Sequence, residues 1–442
     1  MTDTIAVLGA GPVGLAAAAE LALRGLPFRI YERAGHSAAS VADWRHVRLF
    51  SPMGLNVAPA ARHLLDQAGV VLPDDEFLPT GASLIDDYLA PLAALPVIAR
   101  HLTLDATVEA VTRAGLDRVS GGDAAAPRAS RPFMIHWRDA TGTRHTDPAR
   151  AVIDATGCWG NPAPAGVDGL PVPGEGAARA AGLLATGIPD VAGRDRDHYA
   201  DRRVLVIGGG HSAMTVVLDL LRLADTAPRT RILWALRRKD AGRIAGGGTA
   251  DGLPARGALG SNALAAVADG RVTLLHGFAA TAIALAGDGA SLLINGQEGD
   301  AATRFTVDRM VVATGLRPDL SLTRELRLSH DPVVEAPPAL APLIDPNLHS
   351  CGSVPPHGVA ELHAPAEPGY YVAGGKSYGR APTFLMATGY EQVRSVVAEL
   401  AGDHAAARDV RLVLPETGVC SAAPRRIADP RPAAAGCCGS AA

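Results

Sequence analysis

Residues 4–34, TIAVLGAGPVGLAAAAELALRGLPFRIYERA, contain the pattern that decides the fold. The apolar run near its start predicts a buried strand, and three glycines follow at once in the spacing G-x-G-x-x-G. In that spacing Gly9 allows a tight turn, Gly11 lets the backbone approach a pyrophosphate, and Gly14 lets the next helix pack close to the strand. The stretch therefore predicts a dinucleotide-binding site.

The rest of the stretch agrees with this site. Residues 13–23 predict a helix, and its N-terminus suits a pyrophosphate because free N–H groups and the helix dipole favour an anion. A second predicted strand ends at Glu32, which is placed to accept hydrogen bonds from a ribose diol. Arg33 and Trp44 follow as further candidates for cofactor contact. A glycine-rich turn without a ligand is the less favoured alternative, and the site suits the ADP half of either FAD or NAD.

Composition excludes several classes of protein. The chain has 442 residues, of which 48% are hydrophobic and 19% charged, so we expect a globular protein of two or three domains. The net charge of −4 does not favour nucleic-acid binding. A strand that begins at residue 5 leaves no room for a signal peptide, and no apolar run reaches the roughly 18 residues of a membrane span. Five cysteines without framework spacing indicate a reducing cytoplasm.

A second fingerprint lies in residues 202–224, RRVLVIGGGHSAMTVVLDLLRLA. A strand is followed by Gly208, Gly210 and Ala213 in the spacing G-x-G-x-x-A, with His211 and Ser212 between them. This stretch predicts a second dinucleotide site with the same turn and helix.

The strand after this second helix ends on Arg237, Arg238 and Lys239 rather than on an acid. An acid would repel the 2′-phosphate of NADPH, whereas a guanidinium binds it bidentately. NADPH is therefore favoured over the alternative, a solvated charge cluster at a strand end. The glycine-rich residues 243–260 are expected to form a loop over the nicotinamide.

Two other predicted strands run into the sequence Ala-Thr-Gly, and a last strand runs into Gly-Gly-Lys before a final helix at about residues 382–400. Thr156 and Gly157, then Thr314 and Gly315, are expected to return the backbone close to the bound dinucleotides. Gly375 is a further cofactor candidate.

This order predicts an α/β protein of two Rossmann-like dinucleotide-binding domains, with the NADPH domain inserted into the FAD domain. We expect residues 1–162 to form the first part of the FAD domain, 163–308 the NADPH domain, 309–415 the second part of the FAD domain, and 416–442 a flexible tail with cysteines. Different ribose selectors at the two sites indicate electron flow from NADPH to FAD.

The segment DWRHVRLFSPMGLN, residues 43–56, has little apolar periodicity. In a flavin domain the segment after the ribose acid passes the isoalloxazine ring, so His46 and Arg48 are candidates for the reactive face. The alternative, that they only pair with carboxylates, is equally compatible with the sequence.

The two glycine fingerprints, the two Ala-Thr-Gly strands and the closing GYEQVRSVV helix resemble the two-dinucleotide-binding-domain flavoproteins. GGGHSA with its basic selector is similar to the flavin-containing and N-hydroxylating monooxygenases. The segments DWRHVRLFSP, PLIDPNLHSCGSVPPHG, KSYGRAPTFL and LPETGVC resemble bacterial flavin-dependent monooxygenases encoded with arsenic-resistance genes. The resemblance covers nearly the whole chain up to Cys420.

The resemblance implies that NADPH reduces FAD, that O₂ adds to the reduced ring, and that a C4a-hydroperoxide transfers oxygen to a small soft nucleophile, which is an arsenical, sulfur or nitrogen compound. It also implies that Asn56 stabilises this adduct. Two features depart from the family pattern. The F-x-G-x-x-x-H fingerprint is missing before Tyr199, and the usual Gly-Asp motif is replaced by Gly-Gly-Lys ending at Lys376.

The cysteines lack the C-x-x-C spacing of a flavin–dithiol relay. Adjacent Cys437 and Cys438 could bind soft metals or As(III), with Cys351 and Cys420 as further metalloid candidates, or the tail could be inert. The histidines and the cysteine within residues 349–363 fit no common zinc motif, so a pocket wall is favoured over a metal site.

Three functions stay open at this stage. The leading one is the NADPH-dependent FAD monooxygenase, with a small molecule and O₂ as substrates. The alternatives are an NADPH-dependent reductase of a metalloid or thiol that uses the tail cysteines, and a non-catalytic metalloid-binding flavoprotein. The sequence leaves the oligomeric state open, with a homodimer as one option.

Overall fold

The computed structural model describes residues 3–120, 128–239, 244, 246–287, 289–348, 354–382 and 384–415. Its strands are Ile5–Leu8, Phe28–Tyr31, Leu102–Thr103, Thr107–Arg113, Phe133–Arg138, Arg144–Ala149, Ala151–Asp154, Leu184–Thr186, Arg203–Ile207, Arg231–Leu236, Val272–His276, Phe278–Leu285, Leu292–Glu298, Ala301–Val307, Arg309–Val312 and Tyr370–Val372.

Its α-helices are Pro12–Leu23, Ala39–Ala42, Met53–Asn56, Pro59–Gln67, Gly81–Leu84, Ala90–Ala94, Pro96–Ala99, Glu175–Ala180, Arg196–Tyr199, His211–Thr226, Pro254–Ala268, Ala341–Ile344, Val359–Leu362, Met386–Leu400 and His404–Arg408. Residues Ile85–Leu89 form a π-helical turn, and Gly248–Ala250, Ser321–Thr323 and Gly374–Tyr378 form 3₁₀ turns.

Two five-stranded parallel sheets form the cores of the two Rossmann-like domains. In the first sheet the strand order is Tyr370–Val372, Ala151–Asp154, Ile5–Leu8, Phe28–Tyr31, Leu102–Thr103. In the second it is Val272–His276, Arg231–Leu236, Arg203–Ile207, Arg309–Val312, Leu184–Thr186. The first sheet takes strands from both ends of the chain and the second only from its middle, so the predicted insertion of one Rossmann-like domain into the other is confirmed.

Each sheet buries apolar strands under helices. The helix Pro12–Leu23 is almost entirely small and apolar, and it packs between the first sheet and the final helix Met386–Leu400. The helix His211–Thr226 covers the second sheet with one apolar face. These two helices begin directly after the two glycine fingerprints, as the sequence predicts.

Two three-stranded antiparallel sheets complete the architecture. One is formed by Thr107–Arg113, Phe133–Arg138 and Arg144–Ala149, and the other by residues 278–285, 292–298 and 301–307. We did not predict the strands at 144–149, 278–285 and 301–307.

The connections between the two parallel sheets run side by side. Pro162 and Leu316 form an antiparallel bridge. The N–H of Ala163 donates to the carbonyl of Gly315 at 2.9 Å, and the N–H of Arg317 donates to the carbonyl of Asn161 at 3.0 Å. The strand that precedes this connection, residues 309–312, pairs within the middle sheet, which therefore extends past the expected boundary at residue 308.

Candidate nucleotide and substrate cavity

The carboxyl edges of the two parallel sheets open into one cavity of about 1800 Å³. Most of the predicted cofactor residues line it: Gly9, Gly11, Glu32, Arg33, Trp44, Thr156, Gly157, Gly208, Gly210, His211, Ser212, Arg237, Arg238, Thr314, Gly315 and Gly375. Carboxyl edges of parallel strands are the usual ligand sites of α/β sheets. The fold thus brings both fingerprints to the same space.

The first glycine loop has one open position between two packed ones. Gly9 has a φ of 93°, and a Cβ there would lie 2.9 Å from the carbonyl oxygen of Ala155. A Cβ at Gly14 would lie 1.9 Å from the carbonyl oxygen of Gly9, so this residue is required for packing. A Cβ at Gly11 would meet no protein atom within 4 Å. Open space at the start of a 12-residue helix is the geometry that a phosphate group needs.

Glu32 is held in a fixed orientation at the end of the second strand. Its Oε2 accepts a hydrogen bond from the N–H of Ala10 at 2.8 Å, and its Oε1 accepts one from the N–H of Ala34 at 3.0 Å. The residue is buried yet lines the cavity. Each carboxylate oxygen retains acceptor capacity that a ribose diol can use.

The second glycine loop repeats the first. Gly208 has a φ of 141°, and a Cβ there would lie 2.1 Å from the carbonyl oxygen of Ala313. A Cβ at Gly210 would meet nothing within 4 Å. Ala213 is buried beside Gly208, so it supports the turn and is not part of the lining.

His211 begins the second fingerprint helix and lines the cavity. Its ring centroid lies 5.0 Å from that of Phe50. Desolvation by the surrounding protein, together with the nearby Arg256, lowers the pKa of His211 below its ordinary value. The imidazole is therefore neutral at neutral pH.

Arg237 and Arg238 follow the strand Arg231–Leu236 at its carboxyl end. Both side chains are exposed and line the cavity, and neither forms an ion pair within the part of the chain that the structure describes. The first glycine fingerprint thus has a fixed acid beside it, whereas the second has two arginines without an ion-pair partner in the described residues. This is the contrast expected for different ribose groups.

Both Ala-Thr-Gly segments line the cavity. The hydroxyl of Thr156 donates to Oδ1 of Asp154 at 2.7 Å. The hydroxyl of Thr314 donates to the carbonyls of Ala163 and Pro164 at 2.8 and 3.0 Å. Neither Gly157 nor Gly315 has a protein atom within 4 Å of its Cβ position, so both leave room for a ligand.

Comparison with solved structures identifies the fold. Bacillithiol disulfide reductase Bdr (YpdA) from Bacillus cereus aligns with a TM-score of 0.66 and 17% identity over 91% of this chain and 100% of its own. The cadaverine monooxygenase DfoA from Erwinia amylovora, solved with FAD, aligns with a TM-score of 0.60 and 15% identity over 94% of this chain and 98% of its own. The ornithine N-hydroxylase KtzI from Kutzneria sp. 744 gives a TM-score of 0.59 and 17% identity over 91% of this chain and 99% of its own.

The chain has the fold of the two-dinucleotide-binding-domain flavoproteins. No family model matches it. At the sequence level it is 31% identical over 217 residues to indole-3-pyruvate monooxygenase YUCCA1 of Oryza sativa subsp. japonica. That alignment spans 49% of this chain and 44% of the rice protein, which is less than half the length of either.

In this flavoprotein fold, Lys376 forms an ion pair that we did not predict. Its Nζ donates to Oδ2 of Asp154 at 2.7 Å and to the hydroxyl of Thr156 at 3.1 Å. The hydroxyl of Tyr370 donates to the same Oδ2 at 2.7 Å. All of these groups except Thr156 are buried. The Gly-Gly-Lys sequence that replaces Gly-Asp thus brings a cation under the Ala-Thr-Gly segment.

The pKa of Asp154 reflects this partner. Burial alone would raise the pKa, but the Lys376 ammonium and the hydrogen bonds from Thr156 and Tyr370 outweigh it and hold the pKa below its ordinary value. Asp154 is therefore ionised and paired. The sequence contained one signal for this pair. An acid stands directly before Ala-Thr-Gly, and a lysine replaces the acid of the usual Gly-Asp motif.

The segment 43–56 is only partly at the cavity. Trp44 lines it, whereas Asn56, Arg48 and His46 are not among its lining residues. The Asn56 amide donates to the carbonyls of Ser51 and Pro52 at 2.7 and 2.8 Å. Arg48 donates to a backbone carbonyl at 2.6 Å, and Nε2 of His46 is buried without a partner in the described residues. Their catalytic roles stay predictions.

Cys158 lines the cavity and is half-buried. Burial raises the pKa of its thiol to about 12, so the sulfur is protonated at neutral pH and is a poor nucleophile. Cys351, Cys420, Cys437 and Cys438 lie outside the described residues, and so does His349.

Two of the histidines for which the sequence disfavours a zinc site, His357 and His363, lie in the described residues. Within residues 3–120, 128–239, 246–287, 289–348, 354–382 and 384–415, no group of three His, Cys, Asp or Glu side chains could hold a metal ion. His357 is buried, and its Nε2 contacts the Gln392 amide nitrogen at 3.1 Å, whereas His363 is exposed.

Among the helices that the structure describes, none is both long and apolar enough to span a membrane.

Proposed function

We propose that this chain is an NADPH-dependent FAD monooxygenase that transfers one oxygen atom from O₂ to a small soft nucleophile, an arsenical, sulfur or nitrogen compound. The observation that carries the proposal is a single cavity that joins two nucleotide cradles with opposite charge at their ribose ends. An acceptor for FAD and cations for the 2′-phosphate of NADPH face the same space.

The residues present fit both cofactors. The open positions at Gly11 and Gly210 would take the two pyrophosphates, and Glu32 would accept hydrogen bonds from the FAD ribose. Arg237 and Arg238 would bind the NADPH phosphate. When bound, the cofactor pair supplies hydride transfer from NADPH and the reduction of O₂.

The protein contributes orientation and shielding. The Asp154–Lys376 pair fixes the hydroxyl of Thr156, and the paired connections fix Thr314 at the junction of the two domains. Neutral His211 and the apolar ring of Phe50 line the same space without adding a charge. Filling of the cavity by the two cofactors would exclude water from this space and protect reactive oxygen species.

The relative found at the sequence level favours oxygen transfer over dithiol chemistry, whereas the structural neighbours include enzymes of both kinds. The rice relative is named a monooxygenase and KtzI an N-hydroxylase, although Bdr, a disulfide reductase, shares the fold. The fold alone therefore does not choose between these reactions. Cys158 is the single cysteine in the described part of the chain, and its protonated thiol argues against a flavin–dithiol relay.

A second candidate is an NADPH-dependent reductase of a metalloid or thiol that uses the cysteines near the C-terminus. The likeness to Bdr favours it, since that enzyme reduces a disulfide on the same fold. Its cysteines, Cys437 and Cys438, lie outside the described residues.

The test uses isotopically labelled oxygen. FAD-loaded protein is supplied with NADPH, ¹⁸O₂ and a trivalent methylarsenical, an aryl thioether or a primary amine, and the products are weighed by mass spectrometry. We expect one ¹⁸O atom in the product and one in water for each NADPH consumed. NADPH oxidation that yields only labelled hydrogen peroxide with every substrate would contradict the proposal.

A further inference from the structure

Arg380 is a cation of the cavity that neither nucleotide cradle uses. It follows the turn at Gly379, lines the cavity and has an exposed side chain. Its backbone N–H donates to the carbonyl of Val334 at 2.7 Å. One guanidinium nitrogen lies 3.9 Å from the Cβ position of Gly169, in the segment that leads into the middle sheet.

Each of the other charged residues that line the cavity has an ion-pair or hydrogen-bond partner or belongs to one of the two proposed nucleotide sites. They are Glu32, Arg33, Arg237, Arg238, Asp251, Arg256 and Asp319. Asp251 and Arg256 form an ion pair at 2.8 Å, and Asp319 accepts a hydrogen bond from the N–H of Ser321. Within the described residues no carboxylate lies within ion-pair distance of Arg380. It is therefore available to an anionic ligand.

The turn that carries Arg380 is tightly packed. A Cβ at Gly379 would lie 1.9 Å from the carbonyl oxygen of Val334 and 2.8 Å from that of Glu335. The carboxylate of Glu335 forms its ion pair with Arg317, which is next to Leu316 on the cavity wall. Arg380 is thus held beside this wall, while the carboxylate of Glu335, whose backbone contacts the turn, is neutralised by Arg317.

The cavity wall that includes Arg380 also carries exposed apolar side chains. Val167, Leu170, Leu316 and Leu348 are between 36% and 63% exposed, and all except Leu170 line the cavity. Phe384 and Leu385, which shortly follow Arg380 in sequence, line it too. Exposed apolar side chains around a free cation suit a ligand with an apolar body and one negative group.

We propose that Arg380 binds the carboxylate of the substrate, and that the substrate is an organic acid whose apolar body lies on this wall. The inference rests on the proposed function, because it names the substrate class of the same cavity. A planar guanidinium binds a carboxylate through two parallel hydrogen bonds, which orients the rest of the molecule. The soft nucleophilic atom then lies elsewhere on the apolar body.

The experiment compares an acid with its neutral analogue. (Phenylthio)acetate and (phenylthio)acetamide carry the same ring and sulfur and differ in charge. The affinities are measured by calorimetric titration of FAD-loaded protein in saturating NADP⁺. NADP⁺ fills the phosphate sites and allows no turnover. We expect the wild-type protein to bind the acid at least about 10-fold more tightly than the amide.

The variant Arg380→Gln should lose acid affinity by on the order of 10- to 100-fold and leave amide affinity within about 2-fold. The matched control is Arg408→Gln, an exposed arginine outside the cavity, which should change neither. Equal wild-type binding of acid and amide, or no measurable acid binding, would overturn the proposal. A loss of FAD or NADP⁺ affinity in Arg380→Gln would assign the residue to a nucleotide phosphate and overturn it as well.

This result is independent of the oxygen-transfer test. If the ¹⁸O₂ experiment fails while Arg380→Gln still loses the acid selectively, the monooxygenase proposal is wrong and the anion site stands. If oxygen transfer succeeds and Arg380→Gln binds the acid normally, the anion site is wrong.

Discussion

At the scale of single residues, Asp154 and Lys376 show how a departure from a family motif can be structural. The ammonium replaces the expected acid, and it neutralises a buried carboxylate directly before the Ala-Thr-Gly segment. Because the pKa of Asp154 is lowered in the folded protein, its contribution to stability is present above its ordinary pKa and is lost as the pH falls towards the folded pKa.

Lys376→Met should reverse this pH dependence. Without the cation the buried carboxylate is unpaired, so we expect a loss of about 3–5 kcal/mol in the free energy of unfolding near neutral pH. Burial then raises the pKa of Asp154, and part of the stability should return as the pH falls from about 7 to about 5. Urea unfolding at several pH values measures this. The double variant Asp154→Asn with Lys376→Met should be insensitive to pH in this range, and the same pH slope in all three proteins would refute the pairing.

The two arginines after the strand Arg231–Leu236 determine the choice of cofactor in our proposal. Changing Arg237 and Arg238 to Ser should raise the KM for NADPH by on the order of 10- to 100-fold and change that for NADH much less, because only NADPH carries the 2′-phosphate. Steady-state NADPH and NADH oxidation measure both constants. Arg231→Ser, at the opposite end of the same strand, is the control. Equal losses for both nucleotides would mean that the pair does not bind the phosphate.

At the scale of elements, the strand–turn–helix unit occurs twice with the same local geometry. In each unit the first glycine approaches the carbonyl of the alanine directly after a neighbouring strand, Ala155 in one and Ala313 in the other. In each, the second glycine has open space at the helix start. The first glycine is therefore required by the fold, whereas the second leaves the open space that our proposal assigns to a pyrophosphate.

Two alanine substitutions separate these requirements. Gly11→Ala adds a Cβ that meets no protein atom, so the thermal midpoint without cofactor should stay within about 1 °C while FAD affinity falls at least about 10-fold. Gly14→Ala places a Cβ 1.9 Å from the Gly9 carbonyl and should prevent folding. Differential scanning fluorimetry and flavin retention on a desalting column report the two properties. A Gly11→Ala protein that keeps its flavin would contradict the cradle.

The elements that we predicted correctly have strong local signals. Both fingerprints combine a short apolar strand, glycines and a long apolar helix, all within about 30 residues. We expected the glycine-rich residues 243–260 to form a loop. This prediction was wrong for residues 254–260, because the helix Pro254–Ala268 begins there. Pro254 is a start signal, and Gly257 is needed because a Cβ there would lie 2.0 Å from the Gly248 carbonyl.

Other elements had weak signals. The unpredicted strand Arg144–Ala149 contains Pro148 and pairs on one side only, since it is the edge of its sheet. Its exposed residues make its sequence resemble a loop. The Asp154–Lys376 pair joins residues 222 positions apart, so no local pattern predicts it, and its one sign in the sequence is the lysine that replaces the acid of the usual Gly-Asp motif.

At the scale of the whole molecule, the proposed reactions differ in what they need from the C-terminal residues. Oxygen transfer as we propose it needs the cavity that the described residues line, whereas the reductase would need Cys437 and Cys438. A protein that ends at Pro415 should therefore keep flavin, NADPH oxidation and oxygen transfer within about 2-fold of the full chain. The double variant Cys437→Ser with Cys438→Ser tests the same point in a chain of full length. Turnover that disappears in both would favour the reductase.

The paired connections between the sheets have a mechanical consequence. The strands Ile5–Leu8 and Tyr370–Val372 belong to one sheet, and the chain leaves and re-enters that domain through residues 161–163 and 315–317, which are hydrogen-bonded to each other. A stretching force applied between these two strands would be carried first by the strand Ala151–Asp154, which lies between them in the sheet, and then by that short ribbon. The middle domain would bear no load until the ribbon's few hydrogen bonds had broken.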